Sequence, residues 1–387
     1  MNIGFDAKRA YINSTGLGHY SRTLISSLAQ QFPQHNYYLF TPKITERFNH
    51  NALQNTHAVA PTTFPSTLIK SAWRSRFIVK DLLKNNIELY HGLSHEIPAG
   101  IATTAIKTVV TMHDLIFERY PQQYNPIDVF TYRRKLKYAC KHADKIIAIS
   151  HQTKNDLIEF YKADANKIEV CYQSCNPVFY KKHTTADLEI IRKKYNLPQQ
   201  YYLYVGSIIQ RKNLLNLVKA IHFIKDKITI PLLVIGGGTM YKKQVIDYVS
   251  EHDLSKHVIF LSDSHMARSS PQFQSAQDFP AIYSMAKCMV YPSIFEGFGI
   301  PVLEALAAGT PVITSNVSCL PEAGGDAAYY INPFNIENIA EGLLTVLNND
   351  ELRKTMVVKG YSHAANFTNK VCADNVMEVY KQVKGEM

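Results

Sequence analysis

The chain has 387 residues, 46% hydrophobic and 19% charged, with 17 Gly and 17 Pro. This exceeds what one hydrophobic core usually holds, so two domains are expected, and the composition excludes a disordered, collagen-like or low-complexity chain. The net charge of +10 lies in residues 1–182, with 23 Lys/Arg against 13 Asp/Glu, while residues 183–387 hold 19 of each.

The N-terminal half opens with a predicted strand at Asn2–Phe5, then a loop containing Ser14-Thr15-Gly16-Leu17-Gly18. Tyr20, Leu24, Ile25 and Leu28 follow at helical spacing. Strands are expected at Asn36–Phe40, Lys107–Met112 and Lys145–Ser150, with a helix through Phe130–Cys140. Ser150 stands where an N-cap would start the helix HQTKNDLIEFY. After a polar connection at Asn176–Gln200 the alternation restarts. Strands are predicted at Tyr201–Val205, Pro231–Ile235, Val258–Leu261, Cys288–Tyr291 and Pro311–Thr314, with a helix at Leu214–Ile224. A last helix is expected at Lys370–Val383. Alternating strands and helices with short joins imply α/β architecture with parallel sheets.

Two loops carry the chemistry. In Tyr291–Gly309, a strand end leads through Glu296, Gly297, Phe298, Gly299 and Ile300 into a helix with Pro301 near its first turn. Glycines let backbone amides approach a ligand, and the helix dipole adds a positive end, so this is an anion cradle flanked by Glu296 and Glu304. In Tyr204–Asn213, Gly206 ends a strand and Arg211 and Lys212 precede a helix. A guanidinium beside an ammonium suits a diphosphate. His113-Asp114 closes the strand KTVVTM. No G-x-x-x-x-G-K-[ST], H-E-x-x-H or D-x-D occurs, which argues against a P-loop enzyme, a zincin and a carboxylate-held metal–nucleotide complex. No nucleic-acid motif accompanies the basic half. No apolar run approaches the ~18 residues of a membrane span. Asp6 stands where a secretory signal would be apolar, and six cysteines read as free thiols, so a cytoplasmic location is expected.

EGFGIPVLE resembles the E-x7-E element of the family 4 retaining glycosyltransferases, which have the GT-B fold. YVGSIIQRKNL resembles their diphosphate loop, TMHDL their N-domain histidine and STGLGHYSR their N-terminal glycine loop. LYHGLSHEIP, FERYPQQY and ADKIIAIS add a likeness to mannosyltransferases of bacterial O-antigen and capsule assembly. The resemblance implies two Rossmann-like doubly wound domains facing across a cleft. The expected boundaries are 1–182 for an acceptor domain, 183–369 for a nucleotide-sugar domain and 370–387 for a helix crossing back to the first.

The resemblance also assigns roles. Glu296 would contact the donor sugar and Glu304 the nucleotide ribose. Arg211 and Lys212 would hold the diphosphate, with Gly18 near it and Gly206 in the donor loop. Amides of Phe298, Gly299 and Ile300 would hold sugar and phosphate beside Gly297, and His113 would lie against the sugar. The implied donor is a nucleotide sugar, with GDP-mannose the first choice, and no metal or other cofactor is expected. The acceptor would be a glycan or lipid-linked sugar, with an anionic membrane surface as a further partner and no nucleic acid. Glu296 as a covalent nucleophile is the competing mechanism. An epimerase-like enzyme of the same fold or a noncatalytic sugar-binding protein is the competing function. Ser262–Gln277 departs from the family as a loop longer than its usual short turn, near where the nucleotide base would sit.

Overall fold

The computed structural model describes residues 1–61 and 73–386. The chain divides into two compact units, Met1–Ser174 with Asn369–Met387, and Cys175–Thr368. The division falls eight residues before the expected boundary because Phe179 and Tyr180 belong to the second unit. Phe179 lies edge-on to Tyr283 at 5.2 Å, and the Tyr180 hydroxyl donates to the Ala364 carbonyl at 2.8 Å.

Among the described residues the first unit holds a seven-stranded parallel sheet. Its strands are β1 (Asn2–Asp6), β2 (Asn36–Phe40), β3 (Thr56–Val59), β4 (Leu89–Gly92), β5 (Lys107–Met112), β6 (Lys145–Ala148) and β7 (Ile168–Val170). Their order is β3-β2-β1-β4-β5-β6-β7. Side chains alternate across β5, so Val109 joins one apolar layer with Ile3, Phe5 and Leu39, and Val110 joins the other with Trp73, Leu82 and Leu136. Burial on both faces explains why these strands read as near-continuous apolar runs. Ser150 caps its helix as expected, accepting from Thr153 N. The final helix, Asn369–Lys384, packs on Gly16–Gln31 and adds Ala373, Val376, Met377 and Tyr380 to the first layer.

The second unit repeats the plan with β8 (Tyr202–Val205), β9 (Leu232–Ile235), β10 (Val258–Phe260), β11 (Met289–Tyr291), β12 (Val312–Ser315) and β13 (Ala328–Ile331). Their order is β10-β9-β8-β11-β12-β13. The second sheet follows the doubly wound order 3-2-1-4-5-6 and the first adds a seventh strand to it, with the order reversing direction between β1 and β4 and between β8 and β11. Loops leaving those four strands define the two crevices where such sheets bind ligands.

The long stretch Ser262–Gln277 carries short helical elements. Leu261–Asp263 forms a 3-10 turn, and His265–Ser269 and Pro271–Gln274 are short helices. Phe273 is buried against Tyr195 and Phe279, and the Tyr195 hydroxyl donates to Asp278 at 2.6 Å, so the insertion folds onto its own unit.

Candidate active site

The site residues of the second unit follow the two strands that flank its reversal. After β8, Gly206 leads into Arg211 and Lys212, and Asn213 in left-handed conformation (φ +62°) turns the chain into the helix Leu214–Phe223. After β11, the chain passes through Glu296 to Gly299, which precedes the helix Ile300–Ala307 at φ +110°. A Cβ on Gly299 would be strained by that φ and would approach Leu320 Cδ2 to 3.0 Å. The opening turn of this helix leaves amides without intrahelical acceptors at the positive end of its dipole. The Arg211 carbonyl accepts from Ile294 N at 2.8 Å, tying the two loops together.

Glu296 is 8% exposed and sits between the two cations. Its Oε2 is 2.9 Å from an Arg211 guanidinium nitrogen and its Oε1 is 3.1 Å from Lys212 Nζ. Lys212 also donates to the Tyr291 hydroxyl at 2.5 Å, and that hydroxyl donates to Glu296 at 3.0 Å. Burial alone would raise the Glu296 pKa, but Lys212 and Arg211 outweigh it and hold the carboxyl down at about 2. Glu304 stands differently. Burial pushes its pKa up to about 7, against the hydrogen bond from Tyr283 at 3.1 Å and the charge of Lys212. One carboxylate is thus fixed as an anion, while the other is poised near neutrality.

Phe298 is buried against Phe367, with ring centres 5.7 Å apart. Its carbonyl and that of Glu296 both accept from the Cys319 thiol, at 3.0 and 3.1 Å. Ser318 accepts from Glu296 N at 3.2 Å and donates to its carbonyl at 2.9 Å. Sequence reasoning missed Ser318, Cys319, Tyr291 and Tyr283. The signal for the first two was a second strand-to-helix turn, SNVSCLPEAGG after β12, which contains Pro321 and Glu322 but no cation that would mark an anion site.

In the first unit His113 is 3% exposed at the end of β5. Its Nε2 is 2.9 Å from the Leu93 carbonyl, which fixes the proton there and leaves Nδ1 to accept from Gln173 at 2.8 Å. Burial, then His95, hold its pKa down at about 3. This imidazole is a neutral, doubly bonded surface and not a proton acceptor at neutral pH. Gly18 lies in the opening turn of Gly16–Gln31, where a Cβ would come within 2.1 Å of the Asn13 carbonyl oxygen, so local packing itself demands glycine.

Residues 14–177 match the model of Glycosyltransferase Family 4, and residues 187–363 that of Glycosyl transferases group 1. The chain belongs to the family 4 glycosyltransferases. Its two doubly wound units are the GT-B fold. This glycosyltransferase is 25% identical to O-antigen chain mannosyltransferase B of Escherichia coli, over 98% of its own length and all of that protein. It superimposes on a glycosyltransferase from Rickettsia africae with a TM-score of 0.74 at 18% identity, covering 100% and 99% of the two chains. It also matches HepE of Anabaena in complex with UDP, with a TM-score of 0.73 at 14% identity over 99% and 100%. Those two likenesses establish the fold. No described helix of the transferase is long and apolar enough to cross a membrane.

Proposed function

We propose that this enzyme is a metal-independent retaining hexosyltransferase that moves mannose from GDP-mannose to a glycan or lipid-linked acceptor in cell-surface polysaccharide synthesis. The observation that carries the reading is Glu296 gripped by Arg211 and Lys212 beside a helix start, at the reversal point of a doubly wound sheet. The name of the Escherichia coli relative supports mannose and the polysaccharide, and the UDP held by HepE supports a nucleotide donor.

In this mechanism the diphosphate leaves into the field of Arg211, Lys212 and the dipole of Ile300–Ala307, charges already in place before reaction. The two side-chain cations supply the charge that a divalent ion would otherwise bring. The acceptor hydroxyl attacks the face from which the diphosphate departs, and the departing diphosphate takes its proton. Glu296 orients the donor sugar by accepting from its hydroxyls. A carboxylate with a pKa near 2, bonded to two cations, is a poor nucleophile, which disfavours the covalent route. Glu304 accepts from the ribose. His113, neutral and locked, takes no proton.

The basic half also supports membrane contact. On the helix Pro126–His142, Ile127 and Phe130 are 74% and 68% exposed beside Arg134 and Lys137. A second run of cations in the sequence, Lys70, Arg74, Arg76, Lys80 and Lys84, is less uniform. Arg74 turns inward to Asp6, Trp73, Ile78 and Leu82 are core, and Lys70 lies outside the described residues.

The test is incubation with GDP-mannose in EDTA, with and without a lipid-linked glycan fraction. GDP release that requires the acceptor, with a product of α configuration by NMR, is expected. Conversion of the nucleotide sugar alone would indicate an epimerase.

A further inference from the structure

The first unit has a crevice of its own at the reversal between β1 and β4. A cavity of about 370 Å³ opens there, lined by Lys8 and Arg9 from the short helix Lys8–Ile12 after β1, by His95 and Glu96 after β4, by Asp114 after β5, and by Arg74 and Lys135. Its remaining wall includes Phe117, Tyr124 and Tyr132, so a charged end meets an aromatic one.

The charges do not balance locally. Arg74 pairs with Asp6 at 2.9 Å and also with Glu96, and Glu96 pairs with Lys135 at 2.6 Å. Asp6 and Glu96 are therefore taken. Asp114, the other carboxylate in the cavity wall, accepts from Ile116 N and makes no ion pair with Lys8 or Arg9, so four cations face three carboxylates. Lys8 and Arg9 have no carboxylate partner within ion-pair distance among the described residues, and residues 62–72 contain no Asp or Glu. Arg9 Nε is buried without a hydrogen-bond acceptor. Burial lowers the Lys8 pKa, and Arg74 and Arg9 lower it further; burial and Arg74 do the same to Lys135. Two lysines whose charge is disfavoured beside two arginines around a cavity, with an orphaned guanidinium nitrogen, are the arrangement an anionic ligand relieves. His95 carries no charge here, since burial first, then Arg9, hold its pKa near 4.

We propose that this cavity binds a phosphate group carried by the acceptor, with Arg9 and Lys8 as its ligands and the aromatic wall against the adjoining sugar or alkyl group. This deepens the transferase reading and rests on it for the word acceptor. It makes the acceptor a glycosyl phosphate or diphosphate rather than a neutral glycan.

The test uses the full chain carrying Lys212→Ala, which weakens diphosphate binding in the second unit, and calorimetry with octyl mannosyl phosphate, octyl mannoside and inorganic phosphate. The proposal expects octyl mannosyl phosphate to bind at least tenfold more tightly than either other probe. Arg9→Gln and Lys8→Gln should each remove most of that difference, and Arg9→Lys should restore part of it, at unchanged melting temperature. Equal affinity for the phosphate and the neutral mannoside, or binding indifferent to both Gln variants, overturns it. Inorganic phosphate binding as tightly as the glycosyl phosphate overturns the acceptor assignment, leaving a free-phosphate site. GDP binding by the unsubstituted chain is measured alongside. Its absence with phosphate binding intact would condemn the donor site and not this cavity.

Discussion

Arg211 and Glu296, 85 positions apart in the chain, meet in a 2.9 Å ion pair where the loops after β8 and β11 come together. Lys212 joins them from the same turn. The pair joins a residue proposed to hold diphosphate to one proposed to hold sugar, so each tunes the other before any ligand arrives. Substitutions on its two sides should therefore separate.

Lys212→Ala removes the ammonium and should weaken GDP binding by about 10- to 100-fold, the range of one charge-assisted hydrogen bond. Guanosine binding should change little. Calorimetry with both ligands checks this; equal losses would remove Lys212 from the diphosphate.

Glu296→Ala should lower turnover by about 100-fold or more while GDP binds as well as before or better, because two cations lose their internal partner. Wild-type turnover in this variant would take the donor sugar away from Glu296.

Glu304 ties affinity and stability to pH. Its pKa is raised from 4.5 to about 7 in the folded protein, so the folded state holds the extra proton between those values. Stability from this group is fully present below pH 4.5 and declines as pH rises to 7, by roughly 3 kcal/mol in all. Nucleoside affinity should run the other way, rising between pH 6 and 8 as the ribose gains an ionised acceptor. Glu304→Gln should flatten both profiles, measured by melting temperature and calorimetry. An unaltered affinity profile would deny the ribose contact. Glu296 contributes with the opposite sign: its lowered pKa adds stability above pH 4.5 that is lost as pH falls toward 2.

Ser318 has φ of +60°, a strained conformation for a serine, and holds both the amide and the carbonyl of Glu296. Ser318→Ala should lower kcat by about tenfold, with GDP affinity within threefold of wild type. A parallel loss of GDP binding would mean that Ser318 supports the whole loop rather than the Glu296 carboxylate.

For the membrane surface, Ile127→Asp with Phe130→Asp should abolish co-sedimentation with anionic vesicles at low salt. Each Lys or Arg near such a surface contributes roughly 1 kcal/mol, so the binding should also fade with salt. Pelleting that ignores lipid charge would leave the basic half to the acceptor cavity alone.

The central strands were legible because burial on both faces makes their sequences nearly continuous apolar runs, as in LLVI and YLYV. The shorter ones were not. β3, β7 and β13 are edge strands of three or four residues with partly exposed side chains. β4 is central, but LYHG hides a buried His91 whose ring bonds Tyr380 and Thr111, partners 289 and 20 positions away. The donor loops announced themselves through charge and glycine at strand ends. The clamp by Ser318 and Cys319 did not, because it acts through backbone carbonyls of residues more than 20 positions earlier. Charge counting located the basic half, yet only coordinates separate Arg74, turned inward, from the cations of the outer helix.

Thermal denaturation of the wild-type chain and Lys212→Ala with GDP-mannose in EDTA tests the central claim most directly. A ligand bound only by the folded state adds about 2.7 kcal/mol at a hundredfold excess over its dissociation constant. The account predicts a clear rise in melting temperature for the wild type without any divalent ion, and a rise of about half that or less in Lys212→Ala. No rise with GDP-mannose or any other nucleotide sugar, or an equal rise in both proteins, would contradict it.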